Sequence, residues 1–226
     1  MKRSVALLSG GLDSTVALML AVREGEIAEA VTFDYGQRAS AREKEAAEAL
    51  CRKLSIHHTV IELPWLAKAT STALVNRSAP IPRTGADDLS EESESRTSAV
   101  WVPNRNGAFV SIAASIAESA GAGCVIAGFN AEEAASFPDN SAGFVEATNR
   151  ALSYSTMNSV AVESPTLLMK KEDIAREALR LEIEPGSFWF CYDGGESPCG
   201  ECESCARTIR AFERIGAGKM LERIFQ

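Results

Sequence analysis

The sequence predicts an α/β protein built on a parallel sheet, and three observations carry that expectation. Short apolar runs bounded by glycine or polar turns alternate with longer segments of helical apolar spacing. These units follow one another along most of the chain, and the first run leads through Ser9-Gly10-Gly11 straight into a helical segment. Alternation of this kind favours parallel pairing through right-handed crossovers. At 226 residues, 46% hydrophobic and 24% charged, the chain has an ordinary globular composition and is long enough to bury a substantial core.

Taken in order, residues 4–8 read as a buried strand and 14–24 as a helix apolar on most faces, with Ser14 as its cap. Residues 29–34 form a second strand that ends in Phe33-Asp34-Tyr35-Gly36-Gln37. A helix over 40–54 follows, with Ala46, Ala47, Leu50, Cys51 and Leu54 on one side. A third strand spans 57–63. The pattern then dissolves over 76–98 into Pro80, Pro82, Gly85 and the acidic stretch 87–94, which reads as a solvated surface loop. After Gly107, the residues Phe109, Ile112, Ala113, Ile116 and Ala117 make the apolar stripe of a helix. Residues 124–127 form a fourth strand ending at Gly128, and a helix over 143–155, a strand over 160–162 and a helix over 170–181 continue the alternation. No internal repeat is present. Residues 1–185 are expected to form the main domain and 186–226 a small C-terminal region packed on it.

Charge narrows the function. The formal charge is −8 and the pI about 5.0, so a broad phosphate-binding surface for nucleic acid is not expected and a small-molecule substrate is. No run approaches the roughly 18 apolar residues of a membrane helix, and nothing at the start resembles a signal segment, so a cytoplasmic protein is expected. Two of the six cysteines, Cys51 and Cys124, fall in a predicted helix and strand and read as core residues; His57 and His58, in the third strand region, read as structural or surface residues.

Two stretches carry chemistry. In Ser9-Gly10-Gly11-Leu12-Asp13-Ser14 the adjacent glycines permit positive φ and close approach of a ligand, and the helix start supplies free N–H groups, which together make an anion site. The stretch lacks the Lys-Ser/Thr ending of the kinase P-loop and the spacing of dinucleotide folds. The second is Cys191-x7-Cys199-x2-Cys202-x2-Cys205, whose four thiols can wrap one tetrahedral ion, with zinc first and an iron–sulfur cluster or redox pair behind it. A set of four protein ligands has no open position, so the ion braces rather than catalyses.

The S-G-G-x-D-S stretch resembles the pyrophosphate loop of the N-type ATP pyrophosphatases. With Phe33-Asp34-Tyr35-Gly36-Gln37, Val102-Pro103-Asn104-Arg105-Asn106 and the C-terminal Cys191-Tyr192-Asp193-Gly194-Gly195 and Cys199-Gly200-Glu201-Cys202, the chain is similar to the 7-cyano-7-deazaguanine synthases, the QueC family, from residue 4 to about 215. The resemblance implies a three-layer, adenine-nucleotide-alpha-hydrolase-like fold. It implies an ATP-dependent ligase that converts 7-carboxy-7-deazaguanine and ammonia to the nitrile, releasing AMP and pyrophosphate. It further implies ATP and Mg²⁺ as cofactors, one structural Zn²⁺ per chain and a homodimer. Asp13 would be repelled by phosphate without a divalent ion between them, which is why Mg²⁺ enters.

Carried over by position, Asp13, Arg105 and Lys171 are the expected catalytic residues. Leu8, Ser9, Gly10, Gly11, Leu12, Asp13, Ser14, Phe33 and Gly128 are expected to hold the nucleotide. Tyr35, Gln37, Asn106, Asn130, Pro138 and Asp139 are expected to hold the substrate, and Cys191, Cys199, Cys202 and Cys205 the metal. One segment departs from the family's usual N-A-x-D-Y-S-G-Y-P-D-C: over 130–140 the Asp, Tyr and Cys positions hold Glu133, Ala134 and Asn140. Substrate choice is therefore expected to turn on that segment. The alternatives are a related enzyme joining a different acid or amine, a tRNA-thiolation enzyme with a similar loop, and a non-enzymatic nucleotide sensor.

Overall fold

The computed structural model describes residues 2–86, 94–184 and 186–225, so residues 87–93 of the acidic stretch lie outside it. Its elements run β1 (Lys2–Leu7), α1 (Leu12–Glu24), β2 (Gly25–Asp34), α2 (Ser40–Leu54), β3 (His58–Glu62), α3 (Pro64–Lys68), α4 (Glu94–Val100), α5 (Arg105–Ser119), β4 (Cys124–Ile126), α6 (Ala131–Ser136), α7 (Ala142–Ser155), β5 (Ala161–Glu163), α8 (Lys171–Arg180), α9 (Glu203–Arg214) and α10 (Gly218–Ile224). The strands form one five-stranded sheet in the order β3-β2-β1-β4-β5, and every pairing is parallel.

Alternate residues of β1 feed two cores. Val5 packs with Val31, Val110, Ala113 and Val125 under α5 and α7, whereas Ala6 packs with Ala17, Leu18, Leu50 and Cys51 under α1 and α2. Successive side chains of a strand point to opposite faces, so a sheet covered on both sides reads as a continuous apolar run. A third cluster covers the other side of α1: Leu12 and Val16 meet Ile174 and Ala178 of α8, then Phe188, Phe190, Cys202, Cys205 and Phe212 of the C-terminal region. Caught between two apolar surfaces, α1 has no polar stripe, as its sequence suggested.

Four local expectations change. Ser14 does not cap α1; Gly11 holds that position with extended backbone and no capping side chain, while Ser14 lies inside the helix and donates back to the Gly11 carbonyl at 3.1 Å. Of the two glycines only Gly10 takes positive φ (73°). The second strand starts at Gly25 rather than 29, because Gly25, Glu26 and Ile27 already pair with Lys2, Arg3 and Ser4 before a bulge shifts the register at Val5. The polar Glu26 and Glu29 had disguised this stretch. Helix α4 also enters the tract that reads as a loop from sequence.

Strand order reverses at β1, which lies between β2 and β4, with β4 leading on to β5. That switch point, at the carboxyl ends of the strands, is where open α/β sheets form a crevice. The loops leaving β1 and β4 meet there: a Cβ on Gly128 would come within 2.7 Å of the Ser14 backbone.

Candidate active site

The loop after β1 is held from both sides. The Leu8 N–H donates to the Val31 carbonyl at 2.9 Å, and the Gly10 carbonyl accepts from the Trp189 N–H at 2.7 Å. Any Cβ on Gly10 would run into the Glu43 carbonyl, so α2 presses this turn into shape. Ser9 and Ser14 hydroxyls sit 3.0 Å apart beside the uncapped start of α1. A helix end with free N–H groups and no capping side chain is a positive pole open to an anion.

A cavity of about 240 Å³ opens at this loop. Of the residues singled out from sequence, Leu8, Ser9, Gly11, Leu12, Asp13, Ser14, Phe33, Tyr35, Gln37, Arg105, Asn106, Gly128, Asp139 and Lys171 line it. Gly10, Asn130 and Pro138 do not. Gly10 shapes the turn from behind; Asn130 is fully buried and caps α6 by accepting from the Glu133 N–H at 2.9 Å; Pro138 opens the 3-10 turn Pro138–Asn140. Gln37 reaches the wall, yet its amide is engaged with the Tyr35 N–H, the Phe33 carbonyl and Glu43 Oε2 at 2.8–3.0 Å.

At the loop end of the cavity, Lys171 of α8 donates to Asp13 Oδ2 at 2.6 Å and lies 3.6 Å from Glu133 Oε1. A buried lysine in the first turn of a helix is doubly disfavoured, by desolvation and by the helix dipole. Burial alone would lower its pKa, but the Asp13 and Glu133 charges reverse that and hold it above the usual lysine range. The two carboxylates move apart. Burial, reinforced by Glu133, pushes Asp13 up; at Glu133 burial is outweighed by Lys171, Arg207 and Arg105, which hold it down. Asp13 Oδ1 is buried with no hydrogen-bond partner among the described residues.

The other end is built by Arg105, the first residue of α5. Its Nη1 lies 3.3 Å from the Tyr35 hydroxyl, and no carboxylate among the described residues is in ion-pair contact with it. Phe109, one turn on, stacks on Phe33 at 4.2 Å. Asn106 donates to the Asp139 carbonyl at 3.2 Å, and burial raises the Asp139 carboxyl. Trp101 and Phe137 form a parallel aromatic pair, 5.9 Å between centroids, on the wall. Trp101, Phe137, Glu43, Trp189 and Tyr192 were not singled out from sequence as site residues. Their signal was weak, since an aromatic near a helix end reads first as core.

The four cysteines converge as their spacing suggested, with all Sγ atoms within 4.8 Å of one another and Cys199 to Cys205 at 3.8 Å. Tetrahedral zinc with bonds of about 2.3 Å has sulfur–sulfur edges of about 3.8 Å, so the set fits such an ion. Backbone N–H groups of Cys199, Glu201 and Cys202 donate to the sulfurs at 3.2–3.4 Å. Cys51 and Cys124 stay apart in the core, where burial pushes both thiols up to about 11. His58 accepts or donates to Thr32 Oγ1 at 2.7 Å inside the sheet.

A charge network joins cluster and cavity. Cys202 is the N-cap residue of α9, whose Arg207 and Arg210 reach Glu132 Oε1 at 3.0 and 2.8 Å; Glu132 Oε2 in turn accepts the Lys171 backbone N–H at 3.2 Å.

Comparison with known proteins agrees with this architecture. The chain is 47% identical over 228 residues to the 7-cyano-7-deazaguanine synthase of Methanosarcina mazei, covering 98% of this chain and 99% of that one. It is 50% identical over 216 residues to the 7-cyano-7-deazaguanine synthase of Pelotomaculum thermopropionicum, covering 95% and 98%. A crystal structure of a 4-thiouridine synthetase–RNA complex with bound ATP superimposes with a TM-score of 0.52 at 20% identity, over 99% of this chain and 50% of that one, which speaks to the shared fold alone. The family model described as queuosine biosynthesis protein QueC matches residues 3–216, and the chain belongs to that family.

Proposed function

We propose that the cavity is an adenylating active site that joins 7-carboxy-7-deazaguanine and ammonia at the expense of ATP, giving 7-cyano-7-deazaguanine, AMP and pyrophosphate. The observation that carries this reading is the near end-to-end identity of 47–50% with relatives bearing that synthase's name. The geometry supplies the means. The uncapped start of α1 and the hydroxyls of Ser9 and Ser14 offer donors to a departing pyrophosphate without a P-loop lysine.

Each step then has a residue. A carboxylate oxygen of the acid attacks the α phosphorus, and the bond to the bridging oxygen breaks with its electron pair leaving on pyrophosphate. Ammonia attacks the carbonyl carbon of the acyl adenylate, AMP departs and an amide forms. In a second round the amide oxygen attacks the α phosphorus of another ATP, pyrophosphate leaves, and loss of AMP and the nitrogen's protons gives the nitrile. A carboxylate is already nucleophilic at pH 7, so no Ser or Cys nucleophile is required. Lys171 and Arg105, cations at the two ends of the cavity, stabilise the charge that builds on phosphorus. Among the described residues Arg105 is in ion-pair contact with no carboxylate, so its guanidinium is available to substrate carboxylate or phosphate.

A divalent cation fits the loop, since Asp13 Oδ1 is a buried acceptor without a partner. Asp13 would hold Mg²⁺ there, and the ion would neutralise phosphate charge. The four cysteines would hold one zinc, which fills a closed set and braces α9. Asp139 and Asn106 face the cavity where the N–H edge of a guanine-like base finds an acceptor. The functional unit is read as a homodimer that takes small molecules only.

The test is to supply the protein with Mg-ATP, ammonium and the acid and to follow nucleotide and base by mass. AMP and nitrile are expected, at two AMP per nitrile. ADP without AMP would sink adenylation, and amide accumulating without nitrile would move the product one step back.

A further inference from the structure

We propose that Glu133 is the subsite that binds the amine substrate as an ammonium ion, the form ammonia takes at neutral pH. This inference rests on the adenylating reading of the cavity. A cation entering a cavity needs an anion there that is not already satisfied. Four carboxylates line the cavity, and three have other work. Glu43 accepts from Gln37 at 2.8 Å, Asp139 accepts from Asn140 at 3.3 Å, and Asp13 accepts from Lys171 at 2.6 Å within the phosphate loop.

Glu133 differs from all three. Its side chain makes no hydrogen bond among the described residues closer than its 3.6 Å contact with Lys171, and it stays 31% exposed to the cavity. A carboxylate offers about four acceptor positions, so most of Glu133 is unused. Lys171 is shared between Asp13 at 2.6 Å and Glu133 at 3.6 Å, and the Arg207 and Arg105 charges also act on Glu133. Position favours the same residue. Glu133 is in the first turn of α6, fixed by the Asn130 cap, and α6 sits between the phosphate-loop lysine and the Asp139 turn, where acid and nucleotide would meet.

The experiment compares Glu133→Gln with the parent enzyme in three assays: ammonium as the varied substrate at fixed pH, hydroxylamine in its place, and acid-dependent exchange of pyrophosphate into ATP with no amine present. Hydroxylamine is neutral at pH 7 and needs no anion. The expected result is a KM for ammonium raised at least about tenfold, the loss of one charge-assisted contact, with exchange and hydroxylamine use falling by a clearly smaller factor, the one set by the lost Lys171 contact. Glu133→Asp is expected to recover most of the ammonium KM. An unchanged ammonium KM overturns the proposal. So does a parallel fall in exchange, which would mean that Glu133 serves only to hold Lys171. Absence of exchange in the parent enzyme would instead defeat the adenylating reading itself, and is seen without any variant.

Discussion

The cysteine cluster and the cavity share one apolar cluster around α1, yet they treat polar atoms in opposite ways. At the cysteines the sulfurs face one another and accept backbone N–H groups from their own loop. In the cavity, among the described residues, Asp13 Oδ1 has no partner and Arg105 hydrogen-bonds a phenol and a neighbouring amide. Buried polar atoms without partners cost free energy, and a chain keeps them where something else arrives to satisfy them. A set closed on itself suits a resident ion; an unfinished set suits substrates that come and go.

The largest effect is expected at the closed set. Cys202 and Cys205 are fully buried beside Phe212, so opening the cluster exposes part of the core around α1. Metal analysis should give one zinc per chain, and Cys205→Ser or stripping with a chelator should lower Tm by more than about 10 °C, as expected for several kcal/mol in a chain of this size. A Tm that does not move would make the cluster an ornament and end the contrast.

How much of this was legible beforehand follows the same divide. Fixed spacing along the chain reveals what is local. The glycine turn, the four thiols and the alternation of the five strands with α1, α2, α5, α7 and α8 were readable, and α2 was placed at its observed bounds, whereas the short helices α3, α4 and α6 were not placed. What depends on chains meeting was not. Arg207 and Arg210 were given no role from sequence, and only the fold carries them to Glu132, more than 70 residues away in sequence. Trp189 likewise needed the fold to bring its N–H to the Gly10 carbonyl. The capping role given to Ser14 failed because a serine three residues past a glycine pair looks like a cap, whereas the helix begins earlier, at Leu12, and leaves its end uncovered.

The link between the two regions supplies the next test. Glu132 side chains and their arginine partners are 11–19% exposed, so removing the shared carboxylate leaves two poorly solvated guanidiniums. Glu132→Gln should cost roughly 2 kcal/mol of stability. Because Glu132 also holds the Lys171 N–H, acid-dependent pyrophosphate exchange should slow while zinc content stays at one per chain. Exchange at the parent rate would show that the two regions are neighbours without influence on one another.

The smallest effect is expected at the rim, where Asp34 ends β2 and shapes the turn carrying Tyr35 and Gln37. Its carboxylate accepts from the Gly36 N–H at 3.0 Å and from Ser40 Oγ and Lys44 Nζ at 2.6 Å. Burial works to raise its pKa, but the bonds from Lys44, Ser40 and Gly36 outweigh it and hold the group below the usual carboxylate range. A depressed folded pKa contributes stability above the unfolded value of about 3.9 and loses it as pH falls through the folded one. Asp34→Asn should therefore cost about 1 kcal/mol at pH 7, modest because Lys44 is partly solvated, and the gap from the parent should close below about pH 4 in urea melts. Asp13 shifts the other way, because burial and Glu133 oppose its charge in the folded protein. The fold holds the charged form of one aspartate with three donors and works against the charged form of the other by burying it beside Glu133. A gap at Asp34 that ignored pH would remove that distinction and leave the turn held by shape alone.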